Sequence, residues 1–147
     1  MHLVVAGTGP AAAALQAAAG PSVTFLGTLD RNTELPALYA ACDVFAFASL
    51  TETLGLVVLE AMASGVPVVA TPALGVAETL RDGVNGIAVP PRDAARMADA
   101  LVRLAESPAQ RQALSHGAQA TAHEFSWEAE LDRLDALYRE VVGRRAA

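Results

Sequence analysis

Short apolar runs and amphipathic stretches alternate along this chain. The segments Leu3 to Ala6, Val23 to Leu26, Val44 to Ala48, Val66 to Ala70 and Gly86 to Val89 are almost continuously apolar. That pattern predicts strands buried on both faces of a parallel sheet, because a half-solvated strand would alternate apolar and polar positions. Between most of them lie helical patterns. The run from Ala11 to Ala19 is rich in the best helix former and is closed by Gly20-Pro21, and Leu54 to Ser64 reads as a second helix. In the last third, Met97, Leu101 and Leu104 share one face behind the candidate cap Asp93, while Trp127, Leu131, Leu134, Tyr138 and Val141 form a second stripe. Stripes of this kind predict helices that turn an apolar face to a core. Asp82-Gly83 and Asn85-Gly86 mark a tight turn before the last strand, and Pro90-Pro91 ends it. The result is an α/β chain, a parallel sheet with flanking helices followed by a mainly helical segment over 93–147, with no internal repeat or long linker. A single domain over 1–147 is expected.

Two carboxylates interrupt the apolar pattern in a way that needs a reason. In the block Thr51 to Thr71, TETLGLVVLEAMASGVPVVAT, Glu52 and Glu60 stand eight residues apart in otherwise apolar sequence. The block reads as strand, loop, helix and strand. Glu52 then falls in the loop at the carboxyl end of a strand, where open α/β sheets bind ligands, and Glu60 lies about two turns into the next helix. No basic side chain stands three or four residues from Glu60, so its charge must reach solvent, a remote Arg or ligand hydroxyls. Were the intervening residues all helical, the two carboxylates would be separated by roughly 12 Å at about 1.5 Å per residue. The backbone amides of Thr53, Leu54 and Gly55 would open the helix between them and present an electropositive cradle for phosphate. The plainer alternative makes Glu52 a first-turn acid favoured by the helix dipole and Glu60 a solvated surface group.

This block resembles the E-x7-E signature of the retaining GT-B glycosyltransferases of the GT4 family. The likeness extends through LVVAGTGP (Leu3 to Pro10), VTFLG (Val23 to Gly27), LYAACDVFAFAS (Leu38 to Ser49), RDGVNGIAVPPRD (Arg81 to Asp93) and FSWEAELDRLDALYREVV (Phe125 to Val142). Nearly the whole chain is similar to the Rossmann-like C-terminal, donor-binding domain of that family. The resemblance implies a nucleotide-diphosphate sugar as donor, linked to uridine, guanosine or adenosine, and an acceptor hydroxyl, with retention at the anomeric carbon and no metal or other cofactor. It places the catalytic Glu52 near hydroxyls of the transferred sugar, Glu60 on the ribose, and the amides of Thr53, Leu54 and Gly55 on the phosphates. Gly7, Gly9, Gly27, Thr28 and Gly75 become candidate donor-loop residues. Leu74-Gly75 stands where the family more often has paired glycines. The resemblance also implies that the domain's first strand and helix, which usually carry an Arg and a Lys facing the diphosphate, and the N-terminal acceptor domain lie outside this sequence. The chain alone is therefore expected to be inactive, and exposed sheet edges would favour self-association.

Composition narrows the remaining classes. A 53% hydrophobic content among 147 residues is ample for a core, and a net charge of -6 disfavours nonspecific nucleic-acid binding. All ten basic side chains are Arg; Arg144 and Arg145 at the tail would attract anionic lipid only weakly. No run reaches the roughly 20 apolar residues of a membrane-spanning helix, and the start lacks a secretory pattern, so a cytoplasmic protein is expected, with peripheral attachment to the inner membrane left open for a full-length enzyme. Cys42, the single cysteine, reads as a small core residue, and His2, His116 and His123 have no metal-ligand spacing with it. One rival begins at Gly7-Thr8-Gly9-Pro10-Ala11-Ala12, which fits the loose GxGxxA pattern of an NAD(P)-binding oxidoreductase, with Asp30 near the position of a ribose-binding acid. A noncatalytic nucleotide-binding or interaction module is the other.

Overall fold

The computed structural model describes residues 1–146, in two compact units that divide between Cys42 and Asp43. The first unit contains β1 (Leu3–Ala6), α1 (Ala12–Ala18), β2 (Val23–Gly27) and α2 (Glu34–Ala41). The second contains β3 (Phe45–Phe47), α3 (Leu56–Ala63), β4 (Val68–Ala70), α4 (Gly75–Thr79), β5 (Gly86–Ala88), α5 (Ala94–Glu106), α6 (Pro108–Glu124) and α7 (Trp127–Ala146). Strand and helix alternate as expected, and every strand pairing is parallel, which gives the Rossmann-like α/β architecture.

In the first unit β1 and β2 form a two-stranded sheet, with Leu3 opposite Val23 and a shift of register after Val5. Tyr39 is its one fully buried residue, at 5% exposure. The expectation that β1 and β2 are buried on both faces therefore fails, as does that for β3, which is only half-buried. Two strands and two short helices offer too little apolar surface to cover both faces of a sheet. Cys42 is half-buried at the C-terminus of α2 rather than a core residue, its amide donating to the Tyr39 carbonyl.

The second unit has the core. Its sheet runs β3-β4-β5, with Phe45 opposite Val68 and Val68 opposite Gly86. Central β4 is buried throughout, as predicted from VPVVA. Val69, Ile87, Val89, Ala100, Leu104 and Leu114 pack together, with Met97 and Leu101 at the margin, so the α5 stripe points inward as the spacing predicts. Asp93 caps α5 by accepting from the Arg96 amide at 3.0 Å. Val58, Ala61 and Met62 of α3 are fully buried. Asn85 lies at 0% exposure, where its amide donates to the Thr79 carbonyl at 2.8 Å and to the Thr121 hydroxyl at 2.9 Å, and its carbonyl accepts from the Arg81 amide. That network fixes the turn before β5.

The α7 stripe is a correction. Trp127 is 80% exposed and Tyr138 63%, and Leu131, Leu134 and Val141 are also exposed. The helix forms on its own periodicity and on ion pairs such as Arg139–Asp135 at 2.8 Å and Arg144–Glu140, while its apolar side has no covering element among the described residues. Among the described residues, no helix is long and apolar enough to cross a membrane.

Candidate functional site

The sharpest concentration of predicted site residues is the β3–α3 loop. The chain leaves β3 at Phe47, runs through Ser49 and Thr51, and enters α3 only at Leu56. The predicted start at Leu54 is thus two residues early, because Gly55 takes a left-handed conformation, with φ of 70°, and serves as the N-cap. Since 52–55 are not helical, the all-helical span of the two glutamates does not apply.

Within this loop, Glu52 folds back on the backbone. Its Oε1 accepts from the Leu54 amide at 3.3 Å and the Gly55 amide at 3.1 Å, so the carboxylate sits on two of the three amides assigned to phosphate. The sequence alternative made Glu52 a first-turn acid; it lies instead before the Gly55 N-cap, and its position is favourable because the carboxylate meets N–H groups at the positive end of α3. Glu52 makes no ion pair among the described residues and is half-buried. Thr53 and Leu54 are exposed beside it.

Gly75 completes the frame. It opens α4, is buried, and donates its amide to the Glu52 carbonyl at 3.2 Å. A Cβ on Gly75 would lie 2.4 Å from the Thr53 carbonyl oxygen and 2.8 Å from the Leu54 carbonyl carbon. The loop after β4 is therefore in direct backbone contact with the loop after β3, which only a residue without a side chain permits. The structure thus brings Glu52, Thr53, Leu54, Gly55 and Gly75 together. Glu60 stands further along α3, half-buried.

The first unit gathers a second set at the carboxyl ends of β1 and β2. The Gly7 amide donates to the Gly27 carbonyl at 2.6 Å, the Thr8 and Thr28 hydroxyls lie 3.4 Å apart, and the Gly9 carbonyl accepts from the Ala12 amide where α1 begins. Gly7, Gly9, Gly27 and Thr28 thus belong to adjoining loops, as a ligand-contacting rim requires. Asp30 is occupied differently from the dinucleotide-binding rival. Its Oδ1 accepts from the Thr33 hydroxyl at 2.7 Å and from the amides of Thr33 and Asn32, while Glu34 reaches back to the Asp30 amide at 2.7 Å. These bonds, led by the Thr33 hydroxyl, hold the Asp30 carboxyl below its ordinary value. Asp30 thus closes the turn over Asn32 and Thr33 that leads into α2, whose N-cap is Thr33.

A separate cavity of about 240 Å³ lies at the carboxyl ends of β3, β4 and β5, walled by Ala48, Thr71, Pro90, Arg92, Asp93 and Met97. It contains neither glutamate, and its walls are largely apolar. Arg92 there has φ of 60°, a left-handed conformation that nothing in its sequence context signals. Among the described residues no group of three His, Cys, Asp or Glu side chains is arranged to hold a metal ion.

With this geometry in place, the likeness to known proteins is specific. The family model for glycosyl transferases group 1 matches residues 1–107. The D-inositol 3-phosphate glycosyltransferase of Saccharomonospora viridis is 44% identical over 109 residues, covering 74% of this chain and 25% of that protein. The chain therefore spans about a quarter of the length of this curated relative. Sucrose-phosphate synthase from Thermosynechococcus elongatus superposes with a TM-score of 0.82 at 31% identity, over 97% of this chain and 39% of that one. HepE from Anabaena in complex with UDP-glucose superposes with a TM-score of 0.73 at 29% identity, over 84% of this chain and 36% of the other.

Proposed function

The chain belongs to the glycosyl transferases group 1 family, and from that premise we propose that it is the donor-binding part of a retaining glycosyltransferase that moves a sugar from a uridine-diphosphate donor to an acceptor hydroxyl. The observation that carries the reading is the β3–α3 loop, where a carboxylate, backbone amides and a buried glycine meet at the amino end of a helix whose second turn bears Glu60. The uridine assignment is supported by HepE, solved with UDP and with UDP-glucose.

In this reading the amides of Thr53, Leu54 and Gly55 face the diphosphate, where they and the helix end stabilise the negative charge that grows as the glycosidic bond breaks. Glu60 accepts hydrogen bonds from the ribose hydroxyls. Glu52 orients the transferred sugar and stabilises positive character at its ring without forming a covalent adduct. The acceptor attacks from the face the phosphate leaves, and the departing phosphate takes the acceptor proton, so configuration is retained. The reaction is metal-independent and takes place in the cytoplasm. Donor binding is the step assigned to this chain's residues; turnover further requires an acceptor site and cations opposite the diphosphate.

Thermal unfolding of the 147-residue chain with UDP, GDP, ADP and NAD in turn tests the reading. A ligand at one hundred times its dissociation constant adds about 2.7 kcal/mol of stability, so UDP raises the midpoint and NAD does not. A midpoint raised by NAD and indifferent to all three diphosphates would favour the dinucleotide alternative.

A further inference from the structure

The carboxylate assigned to the sugar is folded onto the amides assigned to the diphosphate. Glu52 Oε1 takes hydrogen bonds from both Leu54 and Gly55, and those are the only bonds its carboxylate makes among the described residues. A diphosphate cannot use the same two N–H groups while a second anion occupies them, because each amide has one proton and the like charges repel at contact distance. The backbone around the carboxylate is well anchored: the Glu52 carbonyl is held by the Gly75 amide at 3.2 Å, and Gly75 is wedged against Thr53 and Leu54. The side chain is held only by the two amide contacts. Binding therefore moves the Glu52 side chain and leaves its loop in place.

We infer that Glu52 is an internal stand-in for the donor diphosphate, which expels it from the amides, and that it thereby discriminates a nucleotide sugar from the free nucleoside diphosphate. Once expelled, the carboxylate needs new partners. A nucleotide sugar brings hydroxyls attached directly to the group that displaced it. A free nucleoside diphosphate has hydroxyls only on its ribose, which the donor-site reading gives to Glu60, and so leaves the Glu52 carboxylate unpaired beside added negative charge. The released product is accordingly bound less well than the donor, and the carboxylate reclaims the amides as the product leaves. This deepens the donor-site reading and rests on it.

Calorimetric titration of the 147-residue chain and its Glu52→Gln variant with UDP and with UDP-glucose tests the inference. Glutamine keeps the shape and an accepting oxygen for the loop but removes the charge. A carboxylate at a helix amino end contributes up to about 1 kcal/mol, so UDP should bind Glu52→Gln up to about fivefold tighter than the unmodified chain. UDP-glucose should gain little or lose affinity, so the preference for the sugar nucleotide collapses. In the unmodified chain, the amide NMR signals of Leu54 and Gly55 should both move on adding UDP. Equal or weaker UDP binding by Glu52→Gln, or UDP bound with those two amides unmoved, overturns the inference while leaving the donor site standing. No nucleotide binding by either folded protein overturns both.

Discussion

Replacing Gly75 with alanine tests whether the loops after β3 and β4 are knit through their backbones. The added Cβ would meet the Thr53 carbonyl oxygen at 2.4 Å and its carbonyl carbon at 2.7 Å, against roughly 3.5 Å for a comfortable contact. Both obstacles are backbone, so one loop must move by about 1 Å. Such overpacking costs about 1–3 kcal/mol, and the displaced Gly75–Glu52 hydrogen bond adds about 1 kcal/mol. Alanine at a helix start would otherwise stabilise by up to about 1 kcal/mol relative to glycine. The clash outweighs the propensity gain, and a net loss of about 2 kcal/mol is expected. Urea unfolding followed by far-UV circular dichroism measures it. Gly20→Ala is the control, since nothing lies within 4 Å of its added Cβ; it should change stability by less than about 0.5 kcal/mol. A Gly75→Ala protein as stable as the parent, or more stable, would show that the loops are not in backbone contact.

Three further outcomes follow from other parts of the structure. Asn85→Ala removes two donated bonds and one accepted bond from a fully buried network, so it should destabilise by about 3 kcal/mol in the same urea experiment. Arg81 grips Glu124 through two hydrogen bonds at 2.6 and 3.2 Å, and this, more than the charge of Arg81, holds the Glu124 carboxyl below 4.5. Because the folded value is depressed, the pair stabilises above the unfolded value and its contribution is lost as pH falls through the folded one; Glu124→Gln should flatten the acid side of the stability–pH curve, and an unchanged curve would deny the pair that role. Trp127→Ser and Tyr138→Ser, on the uncovered side of α7, should each shift stability by less than about 0.5 kcal/mol, and a loss of several kcal/mol would mean that α7 packs its stripe after all.

Strand and helix order was legible in the sequence because each strand is a compact apolar run set off by Gly, Pro or Asp. The helix caps were legible in part: Asp93 caps α5 as read, whereas Asp30, weighed as a ligand-binding acid, is taken up by the turn over Asn32 and Thr33 before α2. Burial was less readable. Periodicity shows that a helix has an apolar side but not whether another element covers it, so Leu104 and Trp127 carry similar sequence signals and have opposite environments. The apolar composition of β1 likewise could not reveal a sheet of two strands. At the candidate site, the sequence identified Glu52 and the Thr53–Gly55 amides as neighbours. That Glu52 accepts from the Leu54 and Gly55 amides depends on the left-handed turn at Gly55, which sets the helix start two residues late.

Calorimetric titration of the folded chain with UDP, GDP and ADP, without added metal and beside a Glu60→Ala control, tests the donor-site reading most directly. Saturable binding of UDP, lost in Glu60→Ala, is the expected result. UDP bound equally well by Glu60→Ala would contradict the ribose contact, and failure of the folded chain to bind any of the three nucleotides would contradict the donor site itself.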